Sequence, residues 1–511
     1  MRVLLILPAL TEATSPAFRP IKYSLFPPLG LATLAAYLPD DDEVRIVDEH
    51  VERFRPEDSD LPDLVVIQVY VTSARRSYEL ADWFRERGVF VALGGLHVTS
   101  LPDEAAAHAD AIFLGPGEDT WPAFLADLRP SGLRPSGMRP AGPRPAGPRP
   151  AGPRPAGPRP AGPRPAGLRP AGLRPADLRP AGLRRRSSAI RYTSTSRTLE
   201  RLPPIRRDLI RRERYLVPNS IVVSRGCPHH CDFCYKDAFF DGGKSFYVQR
   251  VDDALAEIDR LPGRHLYFLD DHLFGNRRFA QELFAGMRGQ GRVWQAAGTV
   301  DSVLAPDLLE SAVDAGLRSL FVGFETINAA NLPGQRKRQN VGRSYEDVVR
   351  RLHDCGVMVN ASFVFGMDED GPDVFDRTVA WAIEQGIETA TFHIMTPYPG
   401  TGLFTRIDAE DRLVHRDWER YDTRHVVYRP RGMTAGQLEA GYWRAYRDFY
   451  RWGALWRSAA TKDALGDRLR HLAYAGGWKK FEPVWDALIR TRQVLHALPL
   501  LETALSSFGT R

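Results

Sequence analysis

Three of the chain's four cysteines lie within eight residues, at Cys227, Cys231 and Cys234. Such a short run is not a disulfide framework, in which cysteines are spread along the chain. Thiolates are the ligands that iron–sulfur clusters use, so the tight loop predicts a 4Fe–4S cluster. Because such a cluster takes four ligands, three cysteines leave one iron open. A structural zinc site would need a fourth ligand, and His229 and His230 lie inside the loop, where a closed tetrahedral site is hard to form.

The cysteines follow the first of about six strand–helix repeats between residues 219 and 400. Continuous apolar strands that alternate with amphipathic helices predict a partial (β/α)6 barrel of the TIM type. The predicted strands are Ser220–Ser224, Leu266–Leu269, Trp294–Gly298, Leu320–Gly323, Val359–Phe365 and Ala390–Met395. Polar residues stand just after these strands, at the edge where a barrel has its active site: Asp270, Asp271, Asp301, Glu325, Asp368 and Tyr398.

Residues 1–128 also alternate between strands and helices. Their strands are apolar throughout, which predicts a Rossmann-like (flavodoxin-like) parallel sheet covered on both faces. Glycines at the carboxyl ends of two strands, Gly94-Gly95 and Gly115/Gly117, mark the ligand edge of such a sheet. The overall fold class predicted is therefore α/β, with this sheet, then the barrel over residues 191–400, then a helical region over 401–511.

A pentad repeat of Arg-Pro-small-Gly-variable occupies residues 129–183 and carries eleven Arg and one Asp. Its charge of +10 exceeds the net charge of +6 for all 511 residues, so the rest of the chain is mildly acidic. Proline in every unit blocks a helix, and we interpret residues 129–190 as a disordered linker. The alternative is an arginine-rich arm for RNA or anionic lipid. Since the charge lies in this one segment, no nucleic-acid partner is expected.

No apolar run approaches the roughly 18 residues that a membrane span needs. The run Val3–Leu7 is too short for a signal peptide, and the clustered cysteines suit a reducing compartment. We therefore expect a cytoplasmic protein without a membrane span. The fourth cysteine, Cys355, falls in a predicted helix and is interpreted as a small buried residue.

The cysteine motif, followed by the aromatic Tyr235, resembles the signature of the radical S-adenosylmethionine (SAM) superfamily. The resemblance extends along the barrel to Asp270-Asp271, Gly323-Phe-Glu325, Phe363-Val-Phe365-Gly366 and Pro397-Tyr398-Pro-Gly-Thr401. It implies that the three cysteines hold the cluster, that SAM fills the open iron position, and that SAM is contacted by Tyr235, Asp270, Asp271, Gly323, Glu325, Phe365, Gly366 and Tyr398.

Residues 1–128 resemble the cobalamin-binding domain that precedes many radical SAM barrels. The segments that carry this resemblance include Gly94-Gly-Leu-His97-Val-Thr99 and Gly115-Pro-Gly117-Glu118. It implies cobalamin bound by Thr72, Ser73, Gly94, Gly95, His97, Gly115, Gly117 and Glu118. No His lies between residues 1 and 49, and Asp48-Glu-His50 follows the second strand, so the resemblance implies a cobalt without a His ligand. The alternative is a remnant domain that no longer binds cobalamin.

The combined resemblance implies a radical SAM enzyme that cleaves SAM reductively and transfers a methyl group from cobalamin to an unactivated carbon of a small molecule. An electron donor such as flavodoxin or ferredoxin is expected. Two alternatives stay open: oxidative cyclisation or rearrangement without methyl transfer, and a non-enzymatic cobalamin- or redox-sensing module.

Overall fold

The computed structural model describes residues 1–10, 25–128, 188–480 and 482–506. The predicted repeat linker lies outside the described residues up to residue 187. Within the described ranges the chain forms two parallel sheets, each flanked by helices, and a C-terminal group of helices.

The first sheet has six parallel strands in the order β2-β1-β3-β4-β5-β6. The order of its first five strands is the flavodoxin-like one that the sequence predicts. The strands are β1 Arg2–Leu7, β2 Glu43–Asp48, β3 Leu64–Gln68, β4 Phe90–Gly94, β5 Ala111–Leu114 and β6 Ile190–Thr193. The helices are α1 Leu29–Ala35, α2 Ala74–Glu86, α3 Leu96–Ser100, α4 Pro102–Ala107 and α5 Gly117–Leu128.

Strand β6 corrects the predicted boundary between the two units. Residues 191–193 were assigned to the barrel, but Ile190–Thr193 pairs in parallel with Ala111–Leu114 and extends the first sheet. The chain therefore returns to the first sheet after the repeat, and the second unit begins later than residue 191.

The second sheet has six parallel strands in the order β14-β13-β12-β11-β10-β7, as a partial barrel requires. Its strands, together with the short antiparallel pair β8 and β9, are β7 Ser220–Ile221, β8 Ser224–Gly226, β9 Phe246–Val248, β10 His265–Phe268, β11 Val293–Gly298, β12 Leu317–Glu325, β13 Met358–Phe365 and β14 Thr389–Ile394. The flanking helices are α6 Lys236–Phe239, α7 Val251–Asp259, α8 Arg277–Met287, α9 Val300–Leu304, α10 Leu308–Asp314, α11 Asn331–Gly334, α12 Tyr345–Asp354 and α13 Val374–Glu384.

The predicted first barrel strand, Ser220–Ser224, is divided in the structure. The backbone N–H groups of Val223 and Ser224 donate to the Asp270 carboxylate. The chain therefore leaves the sheet after Ile221, and β8 turns away to pair with β9.

The C-terminal region is helical, as predicted: α14 Gly402–Ala409, α15 Ala435–Phe449, α16 Trp452–Ala460, α17 Leu465–Lys480, α18 Glu482–Arg490 and α19 Val494–Ser506. Two tyrosines attach α15 and the residue after it to the edge strand β14. The Tyr450 hydroxyl bonds the N–H and C=O of Ala390, and the Tyr446 hydroxyl bonds those of Phe392. These contacts satisfy an otherwise open sheet edge, so the two tyrosines serve the fold.

Candidate functional site

The three motif cysteines lie on the loop between β8 and α6. Gly226 ends β8 with φ +75°, and a Cβ built there would meet the Ser245 carbonyl oxygen at 2.0 Å, so only glycine fits. The Cys227 N–H donates to Ser245 O (3.1 Å), and the Cys234 N–H donates to Cys231 O (3.1 Å). Backbone contacts thus give the loop its shape and leave the thiols as its chemically reactive groups, and none is in a disulfide.

The thiols lie in a partly buried setting with two lysines nearby. Burial raises the pKa of Cys227 to about 11, opposed in part by Lys236, and raises the pKa of Cys234 to about 12. Gln339 Nε2 lies 3.4 Å from Cys231 Sγ, and Cys231 also interacts electrostatically with Lys337. Metal binding must therefore displace protons from Cys227 and Cys234, and the lysine charges favour the thiolate form.

The two loop histidines make contacts with other residues. His230 Nδ1 lies 3.0 Å from Asp237, and the His229 ring packs 5.3 Å from the ring of His272. Among the described residues, no three His, Cys, Asp or Glu side chains converge to hold a single ion. Cysteines that ligate a cluster each bind a different iron, so they need not converge on one point.

Asp270 and Asp271, after β10, brace the start of the loop. Asp270 Oδ1 accepts from the N–H of Val223 (3.0 Å) and from Ser224, while its Oδ2 is buried without a protein partner. Asp271 accepts from the Gly226 N–H (3.0 Å) and from the Tyr235 hydroxyl (2.6 Å). Tyr235 and Asp271 are therefore in contact, as a shared site requires. Asp270 uses Oδ1 within the protein, so only its Oδ2 could bind a ligand.

A buried ion pair lies behind the loop, at the end of β12. Lys337 Nζ donates to Glu325 Oε1 at 2.6 Å, and the two side chains are 7% and 11% exposed. Burial alone would lower the pKa of Lys337, but Glu325 and Cys231 raise it above its ordinary value. Glu325 has φ +64°, and a Cβ at Gly323 would meet its Oε1 at 2.5 Å. Gly323 thus leaves room for the carboxylate.

Phe365 and Gly366 lie at the end of β13, and Tyr398 lies in the segment after β14. The Phe365 side chain is 1% exposed and packs against Phe375 and Phe392 in the core, so only its backbone can face a ligand. The Gly366 carbonyl accepts from Tyr428. Tyr398 is half-buried, and its burial, together with the charges of Asp422 and Cys234, raises its pKa.

One cavity of about 480 Å³ connects the two sheets. The first sheet and its helices line it with the predicted Gly94, Gly95, Gly115, Gly117 and Glu118, and the barrel lines it with the predicted Tyr235 and Asp271. A Cβ at Gly95 (φ +117°) would meet the Val69 carbonyl oxygen at 2.8 Å, so the backbone closes tightly there. A second cavity, of about 550 Å³ around Arg2 and Arg55, lies at the opposite edge of the first sheet and touches no predicted site residue.

Polar contacts join the unit of the first sheet to the barrel unit. Arg225 Nε donates to Glu118 Oε1 (2.8 Å), and the Tyr215 hydroxyl donates to Asp48 Oδ2 (2.9 Å). Arg225 precedes the cysteine loop by two residues, so this ion pair joins the loop strand directly to the glycine edge of the first sheet.

Family models divide the chain in the same way. The model described as the radical SAM superfamily matches residues 221–382, and the model described as the B12 binding domain matches residues 23–125. The chain therefore carries a B12-binding domain and a radical SAM domain. The chain is 25% identical over 446 residues to bacteriochlorophyllide d C-12(1)-methyltransferase of Chlorobaculum tepidum, with 85% of each chain covered. It is 24% identical to hopanoid C-2 methylase of Rhodopseudomonas palustris, covering 77% of this chain and 66% of that one.

Solved structures of cobalamin-containing radical SAM proteins share the fold. TsrM from Kitasatospora setae, with tryptophan and a SAM analogue bound, superposes with a TM-score of 0.59 at 16% identity, covering 89% of this chain and 90% of that one. OxsB with aqua-cobalamin bound superposes with a TM-score of 0.59 at 12% identity, covering 99% and 76%.

Three predicted cobalamin contacts lie outside the cavity of this B12-binding domain. Thr72 and Ser73 do not line it, and the buried Ser73 hydroxyl is directed to the Tyr70 carbonyl (3.4 Å). His97 lies in α3 rather than in a loop, is 2% exposed, and contacts Glu104 at 2.8 Å. The Ser73 and His97 side chains thus have hydrogen-bond partners within their own domain. Cobalamin contacts by Thr72, Ser73 and His97 stay a prediction.

Residues that the sequence interpretation missed also line the cavity. Gln68 is the last residue of β3 and Tyr70 follows it, and the Gln68 amide donates to the Tyr70 hydroxyl (3.0 Å). Gly30 of α1 and Arg225 of β8 also line the cavity. The position of Gln68 and Tyr70 at the carboxyl end of a central parallel strand was the signal that could have identified them.

The buried Lys337–Glu325 pair should be costly to break. Lys337→Met leaves the Glu325 carboxylate buried without its cation, and we expect a loss of about 3 kcal/mol in unfolding free energy. Chemical denaturation under anaerobic conditions measures it. In the matched control Arg377→Met, which removes an exposed i,i+4 pair with Asp373, the change should stay within about 0.5 kcal/mol. Equal losses in both variants would show that the buried pair has no special role.

Asp270 should make stability depend on pH. Burial raises its pKa from 3.8 to about 6, so the folded state holds the proton more tightly than the unfolded state. The stability that this provides is full below the unfolded pKa and is lost as pH rises through about 6. From pH 5 to 7.5, wild type should lose about 1 kcal/mol relative to Asp270→Asn. For the control Asp314→Asn, at a 64% exposed side chain, unfolding free energy should depend on pH as it does in wild type. The same pH dependence in Asp270→Asn would contradict the assignment.

Proposed function

We propose that this protein is a cobalamin-dependent radical SAM methyltransferase that methylates an unactivated carbon of a small organic molecule. The observation that carries the proposal is the single cavity that extends from the glycine edge of the B12-binding domain to Tyr235 and Asp271 beside the cysteine loop. Two cofactors that act on one substrate must open into a common space, because the reacting groups have to be held close together.

The residues present suit both cofactors. Cys227, Cys231 and Cys234 are free thiols on one loop and would hold the cluster, with one iron left for SAM. The glycine-lined cavity, where Gly94 and Gly95 keep side chains out of the space, would hold cobalamin. When bound, the cluster supplies the electron that cleaves SAM, and cobalamin supplies the methyl group for transfer.

The protein's own residues would position and shield these groups. Asp271 orients Tyr235 and fixes the Gly226 N–H beside the thiols, and the buried Asp270 Oδ2 is an acceptor without a protein donor that an ammonium group could pair with. Lys337 keeps Glu325 in place behind Cys231. Arg225 and Glu118 hold the two halves of the cavity together.

The cavity lining favours an apolar, ring-containing substrate. Apolar and aromatic side chains make up much of its wall: Leu7, Phe26, Leu31, Phe113, Trp121, Phe239, Phe240 and Leu269. Such a wall excludes water and binds flat or polycyclic molecules. The similar proteins named for bacteriochlorophyllide and hopanoid methylation support this class, and we propose that the substrate is a large apolar ring system.

We also propose the division of labour along the chain. Residues 1–128 with strand β6 bind cobalamin, the barrel strands up to residue 400 bind the cluster and SAM, and residues 401–511 support the barrel. A small electron-transfer protein such as flavodoxin or ferredoxin would supply electrons, and the free thiols suit the reducing cytoplasm. No helix of the described residues has the length and apolar character to cross a bilayer.

A second candidate function is ring closure without methyl transfer. The chain is 25% identical over 291 residues to anaerobic magnesium-protoporphyrin IX monomethyl ester cyclase of Cereibacter sphaeroides, but this covers only 52% of the chain and 46% of that protein. The broader coverage of the methyltransferases favours the first proposal.

Incubation with methyl-deuterated SAM separates the two functions. Anaerobic protein carrying both cofactors should transfer the labelled methyl group to bacteriochlorophyllide d or to a hopanoid, detected by mass spectrometry. An unlabelled product that has lost hydrogen would instead favour cyclisation. A protein loaded with both cofactors that forms no 5′-deoxyadenosine would favour a sensing module.

A further inference from the structure

The solvent-facing side of α16 and α17 is apolar, which reverses the usual pattern of a surface helix. On α16, Trp452 and Trp456 are 50% and 59% exposed, and on α17 Leu465 and Leu469 are 71% and 55% exposed. Each pair is spaced by four residues and so lies on one side of its helix. We name these four residues the outer apolar face.

The inner side of α16 already has its partners. Ala454, Leu455 and Ala459 of α16 are buried in the fold, and the Ser458 hydroxyl donates to the Ile387 carbonyl (3.1 Å). Lys462, between the helices, pairs with the buried Glu388 just before β14 (2.9 Å). The outer apolar face therefore lies outside the core, and half or more of each of its four side chains is exposed although Gly476 lies against the Trp452 ring.

Basic residues are frequent along these two helices, and three of them, Lys462, Arg470 and Lys479, are in ion pairs. Residues 451–480 contain seven Lys and Arg against two Asp, an excess of five in 30 positions, whereas the whole chain has an excess of only six. Arg451 and Arg457 are exposed, and neither has an acidic partner in salt-bridge range among the described residues. Lys480 Nζ lies 5.9 Å from the centre of the Trp452 ring.

We propose that the outer apolar face docks the protein on an anionic lipid surface. Tryptophans and leucines with basic residues beside them are the composition by which helices lie in the plane of a membrane interface. The positive charge makes two other partners for this face unfavourable, namely a second copy of the chain and the chain's own Arg repeat. A second copy would bring two basic faces together in a two-fold dimer, and the Arg repeat of residues 129–183, with a charge of +10, would be repelled.

Docking in this orientation would leave the cofactors accessible. Lys462 and Ser458 contact the segment just before β14, at the amino ends of the barrel strands, whereas the cysteine loop and the cavity lie at the carboxyl ends. The inference concerns binding alone and does not rest on the proposed methyl transfer.

Flotation of the full-length holoprotein with vesicles tests the proposal. Wild type should float with equimolar phosphatidylglycerol and phosphatidylcholine vesicles, and should stay at the bottom with phosphatidylcholine alone or at high salt. The double variants Trp452→Ser/Trp456→Ser and Arg451→Gln/Arg457→Gln should each lower the bound fraction by roughly tenfold. Val414→Ser, a 50% exposed apolar residue outside this face, should bind like wild type.

Several results would overturn the proposal. One is the absence of flotation by wild type, and another is unchanged flotation of the tryptophan variant. A third is a wild-type dimer in sedimentation velocity that the tryptophan substitutions convert to a monomer, because a second copy would then be the occupant. Iron content and circular dichroism show whether each variant is folded. If the double tryptophan variant does not fold, the single variant Trp456→Ser takes its place.

Discussion

Replacing Cys227, Cys231 or Cys234 by Ala is expected to reduce reductive cleavage of SAM to background. Each substitution removes one of the three thiols that leave a single iron open, and a cluster without one of its protein ligands is not retained. The measurements are iron content, the cysteine-to-iron absorption of anaerobically reconstituted protein, and 5′-deoxyadenosine formed with SAM and dithionite.

Cys355→Ala is the matched control. Cys355 directly follows α12, which ends at Asp354, and it packs at the edge of the barrel core rather than on the cysteine loop. This variant should keep its iron and its activity. Full activity in any of the three loop variants, or loss of iron in Cys355→Ala, would overturn the ligand assignment.

Gly30→Phe is expected to abolish cobalamin binding while SAM cleavage continues. Gly30 lines the cavity from the first turn of α1, and a Cβ there would contact, at 3.5 Å, the Gln68 side chain, which lines the same space that cobalamin would fill. A phenyl ring would project into that space, and its helix propensity exceeds that of glycine, so the fold should tolerate it. Corrin absorption after gel filtration gives the cobalamin content.

Gly30→Ala is the control for this steric prediction, since its Cβ makes only ordinary van der Waals contact. It should retain cobalamin like wild type. Cobalamin bound normally by Gly30→Phe would mean that the corrin lies elsewhere, and cobalamin lost from both variants would mean that the helix rather than the space was disturbed.

Local patterns predicted much of this molecule. The spacing of the cysteines, the apolar barrel strands and the glycines Gly94, Gly95, Gly115 and Gly117 each depend on residues close in sequence. The flavodoxin-like order and the partial barrel follow from the handedness of strand–helix–strand units. The structure confirms both, and it brings Tyr235 and Asp271 into contact across the loop.

Long-range contacts account for what the sequence could not predict. The Arg repeat separates strand β6 from its partner β5 in the sequence. No local signal therefore assigns β6 to the first sheet. A hydroxyl or imidazole has the same sequence signature whether it faces a ligand or its own fold. The sequence therefore could not show that Ser73 contacts Tyr70 and that His97 contacts Glu104. Tyr446 and Tyr450 likewise show their role only in contact with β14.

The most direct test of the account is one anaerobic reaction. Protein loaded with the cluster and cobalamin is mixed with SAM, dithionite and bacteriochlorophyllide d or a hopanoid as the methyl acceptor, and 5′-deoxyadenosine and S-adenosylhomocysteine are quantified together. The account predicts both products: the first should require all three loop cysteines, and the second should be lost in Gly30→Phe. Fully loaded protein that forms neither product would contradict it.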